Sequence, residues 1–381
     1  MKYRKILNEE EVVFLIYDLI EVRIDKKIYE KYRNKYTDEE IITSCPFKEV
    51  YNAITGRKLY FISEESEIPL IGYTSFGLID RDTNIIQVRP ISGCNLNCIF
   101  CSVDEGKSKT RFVDYMVDVD YLLKEFEEIA KMKRKKCNFI EAHIDGQGEP
   151  FLYPYIEKLI KGLKEIADVV SIQTNGTLLD KKKIRRLEGY LDRINLSINA
   201  IDKNLAEKIA GCKYDVEKIV RIAEEIALSS IDLLIAPVWL KNYNDSEILK
   251  IIEFGKRIGA GKRWKPFGIQ KYVRHKFGRK PKGIKVIDFK KFYDEIEKID
   301  KSLHLYPKDF GIIKCRVLPK KFKVGEKVRL KLEMEGRMKN EMLSFARERV
   351  ISILGTNKKI GDVVDAKIIR NKHNIYVAKE I

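Results

Sequence analysis

The chain has 381 residues, of which 44% are hydrophobic and 34% charged. That balance excludes a disordered chain and leaves room for two or three domains, each with its own core. The formal net charge of +17 is unevenly placed: residues 261–381 carry 33 Lys and Arg against 14 Asp and Glu, so the first 260 residues together carry −2. A membrane surface or an acidic protein would suit such a pole, but nucleic acid is the commoner reason for one.

Residues 1–80 contain short apolar pieces, such as Glu11-Val-Val-Phe-Leu-Ile16 and Lys58-Leu-Tyr-Phe-Ile-Ser63, and no motif. They are expected to form a small N-terminal accessory domain. The opening residues lack the apolar core of a signal peptide, and no apolar run approaches 18 residues, so a cytoplasmic protein is expected. Seven cysteines, three of them on one loop, fit a reducing compartment better than a disulfide framework. Cys45, Cys137 and Cys212 read as ordinary buried thiols.

From about residue 84 the pattern alternates. Strands are expected at 85–90, 139–144, 169–173, 193–198, 231–238 and 265–272. Between them, apolar residues at three- and four-residue spacing mark helices at 121–132, 155–167, 181–191, 205–210, 216–228 and 245–258. Six such units imply a parallel sheet that right-handed crossovers curl into an open barrel, with a site at the C-terminal strand ends. The first strand runs into Arg89-Pro-Ile-Ser-Gly-Cys94-Asn-Leu-Asn-Cys98-Ile-Phe100-Cys101. Three thiolates on one tight loop can ligate three irons of a [4Fe–4S] cube and leave the fourth open. A ferredoxin or a zinc site would want a fourth nearby ligand, which the sequence does not supply. The second strand ends in Asp145-Gly-Gln147-Gly148-Glu149-Pro150, the third in Thr174-Asn175-Gly176-Thr177, and the fourth carries Ser197 and Asn199. His143 and Asp145 alternate on the second strand, either as polar barrel filling or as substrate contacts.

The basic zone opens with Lys262 and continues through Lys271, Arg274, Lys276, Arg279 and Lys280, interleaved with Trp264, Phe267, Tyr272 and Phe277. Cations among aromatics suit phosphate neutralisation with stacking on unpaired bases, so Lys271, Arg274, Lys276, Arg279 and Lys280 are expected to bind RNA. After a helix at 289–303, short β-prone runs at 322–333, 349–354, 363–369 and 375–378, with glycines at the turns, predict a small barrel of the OB type.

The cysteine loop, with Phe100 just before its third cysteine, resembles the signature of the radical SAM superfamily, of archaeal type. The resemblance covers about 84–283. It implies an α/β fold, a partial (β/α)6 barrel spanning 81–312, with a [4Fe–4S] cluster held by Cys94, Cys98 and Cys101 and with S-adenosyl-L-methionine (SAM) as cosubstrate. Gly148, Glu149 and Pro150 match the element that holds the methionine end of SAM. Thr174, Asn175, Ser197 and Asn199 would contact the cosubstrate, and Phe100 would lie against its adenine. In the family, an electron from the reduced cluster, supplied by an external ferredoxin- or flavodoxin-type donor, cleaves SAM to a 5′-deoxyadenosyl radical that abstracts hydrogen from carbon. Cys315 is a candidate methyl carrier, as in some radical SAM methylases. The N-terminal region has one cysteine, so it lacks the second cluster common in sulfur-inserting members.

The pattern Val324-Gly325-Glu-Lys-Val-Arg-Leu330 … Ile360-Gly361-Asp-Val-Val-Asp-Ala-Lys-Ile368 resembles a TRAM domain, a β-barrel that grips RNA, at 313–381. Together the resemblances imply a transferase that modifies a nucleoside in RNA, tRNA foremost, by methylation or another change at carbon. A radical enzyme acting on a protein or peptide and a non-catalytic Fe–S RNA-binding protein are the alternatives. No catalytic side chain is assigned.

Overall fold

A computed structural model describes residues 2–381. The first sheet is an antiparallel meander of Tyr3–Leu7, Glu11–Ile16, Ile20–Asp25, Glu49–Asn52 and Arg57–Ile62. Helices Lys26–Tyr32 and Asp38–Ser44 bring Tyr29, Ile41 and Ile42 onto Val12, Phe14, Val22 and Ile24, a small core of its own. This sheet is not complete within residues 1–80. Its sixth strand, Val113–Val117, arrives after the cysteine loop and pairs in parallel with Arg57–Ile62. The accessory domain and the cysteine loop therefore share one sheet.

The second sheet runs Asp232–Ile235, Arg193–Leu196, Val169–Thr174, Glu141–Ile144, Ile85–Arg89, all parallel, with Gly77–Asp80 antiparallel at the edge. Helices cover its outer face, against which Val170 and Ile172 are fully buried. Four of those helices, Val119–Arg134, Lys181–Leu187, Lys203–Ala210 and Val216–Leu228, start on an aspartate whose carboxylate accepts from first-turn N–H groups. These caps set where each strand-to-helix loop ends, and so where its polar residues face.

The sixth expected strand is mostly irregular. Phe267 bridges to Ile235, and only Gln270–Lys271 pairs with Val238–Trp239. Pro266 has no N–H to give to a ladder, and a Cβ at Gly268 would come within 2.7 Å of the Leu234 side chain.

The third sheet runs Lys327–Lys331, Val363–Arg370, Tyr376–Glu380, Arg349–Leu354, Glu341–Ala346, Met334–Glu335. Arg349–Leu354 and Tyr376–Glu380 are parallel; the other pairs are antiparallel. The two ends of that row, Lys327–Lys331 and Met334–Glu335, are successive parts of one stretch, so the sheet curls round on itself. Its core is Phe322, Leu330, Leu332, Ile351, Ile353 and Tyr376.

This barrel is joined to the rest by main-chain bonds rather than tethered to it. Val350 N donates to the Ile71 carbonyl at 2.8 Å, and Tyr376 N to Gly72 at 3.0 Å. A Cβ on Gly72 would lie 2.2 Å from the Val350 oxygen. The connecting segment is also stitched down: Leu318 N donates to Asp80, whose other oxygen receives the fully buried Lys133 at 2.7 Å. Cys137 and Cys315 form a disulfide. That corrects the expectations of a methyl-carrying Cys315 and an ordinary thiol at Cys137, because the segment leading into the C-terminal barrel folds back beside the end of helix Val119–Arg134. Among the described residues, no helix is long and apolar enough to cross a membrane.

Candidate active site

The strand ends and the cysteine loop enclose a cavity of about 630 Å³. Cys94, Cys98, Cys101, Phe100, Gly148, Glu149, Thr174, Asn175, Ser197, Asn199 and Lys271 all line it. Pro150, next in the chain, is buried. Residues singled out from five separate stretches of the sequence thus share one hollow.

Backbone zippering holds the loop over the hollow. Gly93 N donates to the Gln147 carbonyl at 3.0 Å, and Glu149 N to the Gly93 carbonyl at 2.9 Å. Gly148 has φ +153° and its added Cβ would sit 1.9 Å from the Gly93 oxygen, so no other residue fits there. Asn97 N and Ile99 N donate to the Ala210 and Ile209 carbonyls, tying the loop to the end of helix Lys203–Ala210. Two amides point at sulfur: Leu96 N at Cys94 Sγ, 3.4 Å, and Glu105 N at Cys101 Sγ, 3.3 Å.

Burial pushes the Cys98 thiol up to about 12 and the Cys94 thiol well above its usual range, each raised further by the neighbouring cysteines. Buried thiols with raised pKa become thiolates only when a cation compensates them. Among the described residues, no three His, Cys, Asp or Glu side chains converge on a point that one ion could occupy. Three sulfurs spaced round a hollow instead suit a cube, with one iron to each thiolate. The donor set therefore fits a cluster.

Most polar atoms on the wall are already engaged. The buried Glu149 carboxylate accepts from Phe151 N (3.0 Å), Thr174 Oγ1 (2.7 Å) and Asn175 N (2.8 Å). It pins the second and third strand ends together. Asn175 Nδ2 donates to Asn95 Oδ1 at 3.0 Å. Asn199 Oδ1 receives Val238 N at 2.8 Å, leaving its amide N–H groups available, and Ser197 Oγ receives Gln173.

His143 and Asp145 both line the cavity and both have partners. Asp145 takes a two-pronged contact from Arg89 (3.0 and 3.1 Å) and one from Gln87 (2.6 Å). His143 Nδ1 lies 2.7 Å from Ser171 Oγ, and that hydroxyl donates to Glu141. Ser171 must then accept from His143, so Nδ1 carries the proton and Nε2 is the acceptor.

The five basic residues separate. Arg274, Lys276 and Lys280 are exposed. Lys271 donates to the Ile287 carbonyl at 2.7 Å. Arg279 is turned inward onto the cysteine loop, donating to Cys98 O (2.8 Å), Asp104 (2.7 Å) and Glu105 O. Glu105 and Arg337 carry no signal in the sequence. They are ionic partners 232 positions apart, with no local pattern to link them.

The radical SAM superfamily model matches residues 88–255, the span that carries the cysteine loop and the polar strand ends. A protein from Methanocaldococcus jannaschii named "Uncharacterized protein MJ0103" is 47% identical over 356 residues, covering 86% of this chain and 81% of that one. The chain belongs to the radical SAM superfamily. As a radical SAM enzyme it uses a [4Fe–4S] cluster and SAM. A GTP 3',8-cyclase from Chlorobaculum tepidum is 27% identical over 195 residues, and the chain spans 55% of that relative's length. Streptococcus suis SuiB, solved with S-adenosylmethionine bound, aligns over 80% of this chain and 71% of its own at 15% identity and a TM-score of 0.43.

Proposed function

We propose that this radical SAM enzyme modifies a nucleoside within RNA, tRNA first among the candidates, by methylation or another functionalisation of carbon. The observation that carries the reading is a row of lysines on the C-terminal barrel. Lys327 stands opposite Lys367, and Lys367 opposite Lys379, across three adjacent strands. All three are exposed, as are Arg329 and Lys331 beside them. Among the described residues, none partners the side chain of any of the three lysines in an ion pair or hydrogen bond. Like charges directly opposite each other on a sheet are destabilising, and a phosphate backbone laid across them removes that cost. Arg274, Lys276 and Lys280 are also exposed and, on this reading, neutralise further phosphates.

The strand order, with one parallel pair and a first strand shared between both edges, supports an OB-like barrel, in which the resemblance to TRAM is the finer reading. The relatives named GTP 3',8-cyclase act, by that name, on a nucleotide, which supports a nucleoside as the target. When bound, the cluster and SAM supply one-electron chemistry that activates a C–H bond. The chain's own part is to hold the three thiolates, close the hollow against water and present Ser197, Asn199 and the backbone at Gly148 to the cosubstrate.

The test is anaerobic. Reconstituted protein, dithionite, SAM and bulk tRNA from a source lacking this gene should give 5′-deoxyadenosine together with a mass-shifted nucleoside. Cleavage with no nucleoside change in tRNA or ribosomal RNA would move the substrate to protein. Replacing Cys94, Cys98 and Cys101 by Ala should abolish cleavage and leave RNA binding intact.

A further inference from the structure

Three arginines from three parts of the chain converge on Glu105 and Gly106, a few residues beyond the cysteine loop. Arg57, from the N-terminal sheet, donates to the Gly106 carbonyl and reaches Asp114 at 3.3 Å. Arg279, from the basic segment, donates to the Glu105 carbonyl. Arg337, from the C-terminal barrel, is 1% exposed and uses every guanidinium N–H. It grips both oxygens of Glu105, and also reaches Asp114 (2.8 Å), the Val113 carbonyl (3.1 Å) and the Gln147 carbonyl (3.4 Å). Glu105 and Asp114 are themselves 3% and 0% exposed. Two buried acids thus face two buried arginines, and Asn52, Thr55 and Ser92 complete the bonding of Asp114. A Cβ on Gly106 would come 2.0 Å from the Leu96 carbonyl, so the braced segment lies flat against the cysteine loop. Glu105 is also the residue whose amide is directed at Cys101 Sγ.

We infer that Arg337 is a positioning residue for the cluster: through its two-pronged grip on Glu105 it holds the Glu105 N–H on the sulfur of Cys101, and the C-terminal barrel is thereby a structural part of the iron–sulfur site. Hydrogen bonds to ligand sulfurs set the potential of such clusters, because they favour the more negative, reduced state. Losing the grip should lower the midpoint potential.

The experiment compares reconstituted wild-type protein with Arg337→Met and with the double variant Arg337→Met/Glu105→Gln, by redox titration and by the EPR spectrum of the reduced cluster. Unfolding midpoints are measured alongside. The single variant strands a buried carboxylate and can fail to fold; the double variant leaves the Arg57–Asp114 pair balanced, and removing both partners of a buried pair is commonly tolerated. It also removes one positive and one negative charge together, so a remaining shift reports geometry. The expected result is a midpoint shifted to more negative potential and an altered EPR spectrum in the folded double variant, with iron content retained. A folded double variant with the wild-type potential and spectrum would overturn the inference. Arg347→Ala, on an exposed edge of the same barrel, should leave both unchanged; a shift there equal to that of the double variant would also overturn it, since any disturbance of the barrel would then suffice.

Discussion

Gly148 shows how little room the site leaves. Alanine there would combine a left-handed φ of +153° with a Cβ 1.9 Å from the Gly93 oxygen. Backbone strain alone costs roughly 1–3 kcal/mol, and relieving the clash must part the cysteine loop from the second strand. Gly148→Ala is therefore expected to lower SAM cleavage by about tenfold or more, read as 5′-deoxyadenosine formed anaerobically, with iron content falling in parallel. His143 offers a pH test. Burial holds its pKa below the ordinary value, so below about pH 6.5 the unfolded chain binds a proton that the folded one refuses. Its contribution to stability is complete above that pH and is lost as pH falls. His143→Gln should lose less stability than wild type between about pH 7.5 and 5.5 in anaerobic denaturant unfolding; equal losses would show that another group carries the acid response.

Among the elements, helix Val119–Arg134 hangs on Asp118, which accepts from Asp120 N and Tyr121 N, both at 3.0 Å. Asp118→Ala should cost about 1 kcal/mol, visible as a lower Tm with the cluster intact. The helices were legible because an outer helix needs one apolar stripe and a capped start, and both are written within a dozen residues. The five parallel strands were legible because each keeps a fully buried apolar register, such as Ala142 with Ile144 and Ile194 with Leu196, between two stretches of helical periodicity. The strands of the first sheet and Glu341–Ala346 were not. Glu11–Ile16 presents an unbroken apolar run without a two-residue rhythm, and only its pairing with two neighbours distinguishes it from a buried helix. The lysine row belongs to this scale as well. Replacing Lys327, Lys367 and Lys379 by Ser should reduce the slope of tRNA affinity against log salt by about one for each phosphate that is no longer neutralised. An unchanged slope in a variant that still binds tRNA would remove the row from the interface, whereas no tRNA binding by the wild type would remove RNA itself.

For the whole molecule, the barrel at the C-terminal end is built into the core rather than appended to it. A fragment of residues 1–312 would expose Ile71 and Gly72 and leave Glu105 and Asp114 buried with Arg57 as their one arginine partner. Burying a charge without its partner is costly, so the fragment should be recovered insoluble or without iron. A soluble fragment with a full complement of iron would show that Arg337 and the barrel that carries it are dispensable to the site.

The spacing of Cys94, Cys98 and Cys101, with the polar strand ends that follow, announced the cofactors because those ligands lie within a few residues of one another, where chain connectivity alone fixes their geometry. The charge pole at residues 261–381 was also readable, since net charge is independent of folding. Where each charge faces was not. Arg279 turned inward while Arg274 and Lys276 stayed in solvent, Arg337 found Glu105 across 232 residues, and three lysines from three strands fell into one row. Each of those outcomes depends on strand register and on the packing of separate sheets, which are settled by long-range contacts that no local pattern of residues contains.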